Sequence, residues 1–182
     1  MGAASGFRIV TPRLVLRPFG PGDIAALARI GADSRVAAMM GTIPVPWPAA
    51  EIRFWIDKAR FRGEVGYRAA IALRDGALIG GCGLWGAPAS LSYFLDPAQW
   101  GRGLATEAAR AFLSDAFARF PGLDVVTADH FADNPASARV LAKLGFERTG
   151  VGMGPSLARL EPAPNIHYRL MRASFEVSHE IS

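Results

Sequence analysis

The sequence of 182 residues predicts one α/β domain, with a mixed, mostly antiparallel sheet of about seven strands flanked by helices. Three features carry that prediction. The length suits a single domain with its own core. Residues 67–73 and 77–84 are apolar runs joined around Arg74-Asp75-Gly76, and an Asp-Gly pair between such runs marks an antiparallel hairpin. Residues 91–146 read as strand, glycine-rich turn, long amphipathic helix, strand and short helix.

The elements follow in order. Residues 13–17, RLVLR, alternate and predict a strand. Asp23 is placed to cap a helix carrying Ile24, Leu27, Ala28 and Ile30, and Ser34 to cap a shorter one reaching Met40. Residues 41–48 are a proline-broken loop. Ile52, Trp55, Ile56 and Ala59 share one face of a helix over 51–61. In the second hairpin strand Gly80, Gly81 and Gly83 weaken pairing and mark a bulge. Gly86-Ala87-Pro88 turns the chain into a strand over 89–95, which Asp96-Pro97 stops. Leu104, Ala108, Phe112, Ala116 and Phe120 then recur at helical spacing, widened by Ala105, Ala109, Leu113 and Phe117. A β-branched run at 123–128 predicts the next strand. Asn134 is a good N-cap, Pro135 suits the first helical position, and Gly145 with Phe146 suits the C-terminal stop. Strands over 146–153 and 166–171 flank a loop and complete the domain, which spans 11–173. Residues 1–10 and 174–182 are read as tails, the second partly frayed.

Composition narrows the class. Apolar residues make up 51% and the mean hydropathy is +0.20, values of a globular chain. No apolar run reaches the 18 to 20 or so residues of a membrane span. The first dozen residues lack the apolar core of a secretion signal, and Gly2 is accounted for by a small-residue tail. The expectation is a cytoplasmic protein with no membrane partner. Cys82 is alone between glycines, which excludes an internal disulfide and reads as a small packed residue. The 3 histidines are scattered, so no metal site is expected. The net charge of +4 comes from dispersed arginines; without a nucleic-acid motif it does not point to RNA or DNA.

Trp100-Gly101-Arg102-Gly103 opens the long helix. Glycines allow a tight turn and close backbone approach, the first helical turn leaves N–H groups free, and Arg102 adds positive charge. The turn is either a phosphate cradle or a plain connection, and spacing alone leaves both open. A dinucleotide fingerprint would need a third glycine where Thr106 stands. A nucleoside-triphosphate loop would need a lysine, and the chain's lysines are Lys58 and Lys143.

The phrases WGRGLATEA (100–108) and NPASARVLAKLGF (134–146) resemble the GCN5-related N-acetyltransferase (GNAT) superfamily. With TPRLVLRP (11–18) they resemble more narrowly the branch of the ribosomal-protein N-terminal alanine acetyltransferases. The resemblance implies acetyl-coenzyme A as donor, a cofactor whose negative charge the net positive surface would help steer. It implies that the diphosphate is bound at Trp100, Gly101, Arg102, Gly103, Leu104, Ala105 and Thr106, with Trp100, Gly103 and Ala105 at the marked positions. Asn134 matches the asparagine that contacts the cofactor, and Ser137 lies near the thioester. The strand ending at Leu95 would splay from that at 123–128 to admit the pantetheine arm, with N–H groups around Phe94 and Leu95 polarising the thioester carbonyl. The segments between the first two strands would cover the acceptor. Met39, Met40, Trp47 and Trp55 are then candidates for its wall, with Tyr93, although core packing is the simpler account of Met39 and Trp55.

Acetylating an amine needs a base, a positioned thioester and a donor for the leaving thiolate. The branch commonly reads E-I-G-Y where this chain has Ser90-Leu91-Ser92-Tyr93, so the carboxylate is missing. Ser92 is a weak stand-in. His130 is the best titratable candidate by charge logic, and Ser137 by family position is the donor to the thiolate. A peptide α-amine, with a pKa of about 8, would need little help. The acceptor is a protein N-terminus or a small amine, an antibiotic or polyamine included. The missing carboxylate also leaves open a non-catalytic acyl-coenzyme A binding or regulatory module. A homodimer is compatible with the sequence.

Overall fold

The computed structural model describes residues 6–180, so the extreme N-terminus, Gly2 included, lies outside it. Eight strands form one sheet in the order β1-β2-β3-β4-β5-β6-β8-β7. They are β1 (Ile9–Val10), β2 (Leu14–Arg17), β3 (Arg68–Leu73), β4 (Leu78–Trp85), β5 (Ser90–Leu95), β6 (Val125–Phe131), β7 (Glu147–Gly154) and β8 (Ala163–Met171). All neighbours are antiparallel except β5 and β6. The helices are α1 (Ile24–Gly31), α2 (Ser34–Ala37), α3 (Ala49–Lys58), α4 (Leu104–Arg119), α5 (Pro135–Lys143) and α6 (Arg172–Glu180).

Strand alternation sends side chains to opposite faces, and each face builds a core. One joins Leu91 and Leu95 of β5, Cys82 and Leu84 of β4, and the buried stripe of α4 from Leu104 to Phe117. The other joins Phe94 and Ala70 to Leu27 and Ile30 of α1 and to Ile52 and Ile56 of α3. Gly80 has to be a glycine, because a Cβ there would lie 2.1 Å from the Phe94 carbonyl oxygen. The β3–β4 register shifts between Ile71 and Ala72, beside the glycines that marked a bulge.

Several expectations need correcting. The strand count rises to eight through β1, a two-residue piece within the segment read as a tail. The segment read as frayed begins as α6, with Phe175 buried and its ring 5.3 Å from Phe117. Asp23 does not cap α1 through its side chain; it accepts two hydrogen bonds from Arg17 instead. Asp33, not Ser34, caps α2 by accepting from the Arg35 N–H. Strand β6 starts later than 123 and runs through His130 to Phe131.

Candidate functional site

Strands β5 and β6 are parallel neighbours for two residue pairs only, Ser90 with Thr127 and Leu91 with Ala128. Beyond them the strands part. The Ala89 carbonyl accepts from the Thr127 N–H, while the Asp96 N–H turns the other way and donates to Ile79. Odd-numbered main-chain groups of β5 therefore face β6, and even-numbered ones face β4. Past Leu91 the N–H groups of Tyr93 and Leu95 open on the gap without ladder partners. Phe94 was expected among these donors, but its main chain is turned to Gly81 on β4 and its ring is in the core.

The gap is the centre of a cleft of about 950 Å³. At one end is the glycine turn. Gly101 and Gly103 have φ of 76° and 74°, the left-handed region that glycine adopts without strain. Gly103 is the N-cap of α4, so the N–H groups of Leu104, Ala105 and Thr106 form its free first turn. The turn is held from below. Arg13 donates to the Arg102 carbonyl at 2.8 Å and pairs with Glu107 at 2.6 Å, and Glu107 also accepts from Thr11. The Glu107 carboxyl sits below its usual range: burial pushes it up, but the hydrogen bonds from Thr11 and Arg13 and the charge of Arg13 outweigh that. Trp100 is half exposed, and its indole N–H donates to the Leu95 carbonyl at 2.9 Å. Arg102 reaches outward and donates to the Gln99 side chain.

In the middle of the cleft Asn134 caps α5, its Oδ1 accepting from the Ser137 N–H at 3.1 Å. The Ser137 Oγ lies 2.7 Å from the Tyr93 hydroxyl, which also reaches the Ser137 carbonyl at 3.3 Å. Burial raises the Tyr93 pKa and holds the phenol protonated; the bond to Ser137 works against that rise and is outweighed. Tyr93, expected at the acceptor wall, is thus brought to the expected position of the thioester.

The face that carries α1 and α3 holds the other polar groups. Ser90 and Ser92 point there from β5, with Thr127 and Asp129 from β6. Asp129 is exposed and paired in register with His167 on β8. Asn165 Nδ2 donates to Asp129 Oδ2 at 3.1 Å, and Asn165 Oδ1 is buried with no hydrogen-bond partner. Sequence reading missed Asp129 and His167 as site residues, since only the β6–β8 register brings them together. His130 alternates to the other face and is buried. Its ring nitrogens are engaged by the Phe131 carbonyl at 2.8 Å and the Tyr168 hydroxyl at 3.0 Å. Met39 lines the cleft, whereas Trp47 is buried behind Trp55, their rings 5.3 Å apart. Among the described residues no cluster of His, Cys, Asp and Glu suits a metal ion, and no helix is long and apolar enough to cross a membrane.

Comparison with known proteins bears on this geometry. Residues 13–147 match the family model described as an acetyltransferase (GNAT) domain. Among solved structures the chain is similar to a GNAT-family acetyltransferase from Bacillus anthracis, at 22% identity over 91% of this chain and 98% of that one, with a TM-score of 0.75. It is similar to Mycobacterium smegmatis RimJ in complex with CoA-disulfide, at 20% identity over 92% and 87% of the two chains, with a TM-score of 0.78. It is also similar to spermidine N-acetyltransferase from Vibrio cholerae in complex with CoA and spermine, at 15% identity over 91% and 98%, with a TM-score of 0.76. At these identities the likeness is one of fold.

Proposed function

The chain belongs to the GNAT acetyltransferase family, and on that basis we propose that it transfers the acetyl group of acetyl-coenzyme A to a primary amine. The observation that carries the reading is the parting of β5 and β6 after Leu91, with a glycine turn and helix N-terminus at one end and the Tyr93–Ser137 pair at its middle. We also place the chain beside the ribosomal-protein N-terminal alanine acetyltransferases, a placement that rests on the phrases at 11–18, 100–108 and 134–146.

Bound acetyl-coenzyme A supplies the thioester that makes the acetyl carbon electrophilic. The residues here suit it. The N–H groups of Leu104, Ala105 and Thr106, with the dipole of α4, hold the diphosphate, and Gly101 leaves open space where a side chain would stand. The free N–H groups of Tyr93 and Leu95 receive the pantetheine amides and the thioester carbonyl. Asp129 faces the acceptor side and takes the amine's proton, with Asn165 orienting its carboxylate. When the Tyr93 hydroxyl is the donor of the Tyr93–Ser137 pair, the Ser137 proton is left for the departing sulfur.

The test is incubation of the protein with acetyl-coenzyme A and a panel of peptides and small amines, following thiol release and acceptor mass. An acceptor that gains an acetyl group supports the reading. Coenzyme A binding with no acetylated product, at any pH up to about 9, overturns it in favour of a binding module.

A further inference from the structure

Most of the cations around the cleft are partnered or solvated. Arg35 pairs with Asp33 at 2.6 Å and Arg159 with Asp133 at 3.0 Å, while Arg139 and Lys143 are exposed on α5. Arg68 is different. It projects from β3 onto the acceptor face, in register with Gly83 and, through it, Ser92. Gly83 makes room for its stem, since a Cβ there would meet the Arg68 Cγ at 2.4 Å. Its guanidinium lies 4.8 Å from the centre of the Trp55 ring, which covers one face and leaves the N–H edge free. Among the described residues no carboxylate or other hydrogen-bond acceptor meets that edge. Burial lowers the Arg68 pKa, and a guanidinium keeps its charge in proteins. A half-buried guanidinium lacking an anion is costly unless its ligand brings one.

The opposite side of the same face carries the reverse polarity. Asp129 is the acceptor there, its carboxylate held by the bond from Asn165 Nδ2, while Asn165 Oδ1 is buried beside Gly152. The two poles flank the gap at which the thioester is expected.

We propose that the acceptor carries a carboxylate as well as the reacting amine, and that Arg68 binds this carboxylate while Asp129, oriented by Asn165, faces the amine. This rests on the acetyltransferase reading and deepens it. The two poles are separated by three strand intervals, the last of them widened where β5 and β6 part, so by at least roughly 14 Å, which the side chains shorten from both ends. The span suits a side-chain carboxylate several bonds from the amine. It disfavours a polyamine, whose second cation would meet the guanidinium. The carboxylate could belong to a free amino acid or to an acidic residue next to a peptide N-terminus.

Matched pairs of acceptors blocked as C-terminal amides test this: the α-amides of glutamate and glutamine, and short C-terminally amidated peptides with glutamate against glutamine at the second position. The expected result is a kcat/KM at least about tenfold higher for the acidic member of one pair, and the pair that shows it identifies the source. Arg68→Met should collapse that ratio towards one, Arg68→Lys should retain part of it, and coenzyme A affinity should report that both variants are folded. Equal rates for acidic and neutral members, or a ratio that survives Arg68→Met, overturn the proposal while leaving acetyl transfer intact. If no amine is acetylated, the acetyltransferase reading fails, and binding of the same pairs to coenzyme A-loaded protein decides this one. Equal affinity within a pair then sinks it.

Discussion

The Tyr93 hydroxyl on β5 and the Ser137 Oγ on α5 lie 2.7 Å apart across the opening between β5 and β6. Burial raises the Tyr93 pKa and keeps the phenol protonated, so its proton is available to the serine in the relay proposed above. Removing either hydroxyl breaks one relay. Tyr93→Phe and Ser137→Ala should each lower kcat by about tenfold to hundredfold. Because both act on one proton, the double variant should be no slower than Ser137→Ala alone. Steady-state thiol release on the four proteins checks this, and additive losses would separate the two residues.

Gly103 sets the entry to α4 at φ 74°. A Cβ there would come no closer than 3.7 Å to Arg13, so the obstacle to Gly103→Ala is the backbone conformation itself. That conformation costs an L-residue about 1–2 kcal/mol. Relief by rotation of the turn would misaim the free N–H groups of the first helical turn. The expected outcome is an approximately tenfold weaker coenzyme A dissociation constant by calorimetry, equal to about 1.4 kcal/mol.

Gly80→Ala is expected to be far worse for the fold. Its Cβ would sit 2.1 Å from the Phe94 oxygen and 2.9 Å from the Leu95 Cα, and backbone atoms of a central strand cannot step aside. A loss of about 3 kcal/mol or more in urea unfolding is predicted. Gly122→Ala is the control: nothing lies within 4 Å of its Cβ position, and its stability should change by less than about 0.5 kcal/mol.

Asp23 gives a pH signature. Burial pushes its carboxyl up, but the two bonds from Arg17, the Gly20 N–H and the charge of Arg17 together hold it below the usual range. A folded value below the unfolded one, about 3.9, stabilises the protein fully above that pH. The contribution is lost as pH falls through the folded value. The stability gap between the wild type and Asp23→Asn should therefore be flat from about pH 8 to 5 and narrow below about pH 4. Urea midpoints measured across that range read it directly.

The parts of this fold that depend on neighbours in sequence are legible in the sequence. The stripe of α4, the Asp75-Gly76 turn, the Asn134 cap and the stop at Gly145 each involve residues within a few positions of one another. The parts set by register are not. Tyr93 and Ser137 are 44 positions apart, and nothing local tells a tyrosine at a strand end that a helix will present it a hydroxyl. Asp129 and His167 become neighbours only through the β6–β8 pairing, and Arg68 joins the acceptor face only through Gly83. The last helix was hidden for a related reason: its segment is polar, and one aromatic, Phe175 against Phe117, anchors it.

The two-pair junction between β5 and β6 means that this protein is built with a length of sheet missing. Amides at Tyr93 and Leu95 lie in the middle of the sheet, yet should exchange with deuterated solvent like those of an edge strand. A ligand whose own amide groups run along the gap supplies the absent rungs, much as an added peptide strand completes an open sheet. Such a ligand acts as a structural part of the domain. At a hundredfold excess over its dissociation constant it would add about 2.7 kcal/mol to the stability, and slow exchange at those two amides would mark its arrival.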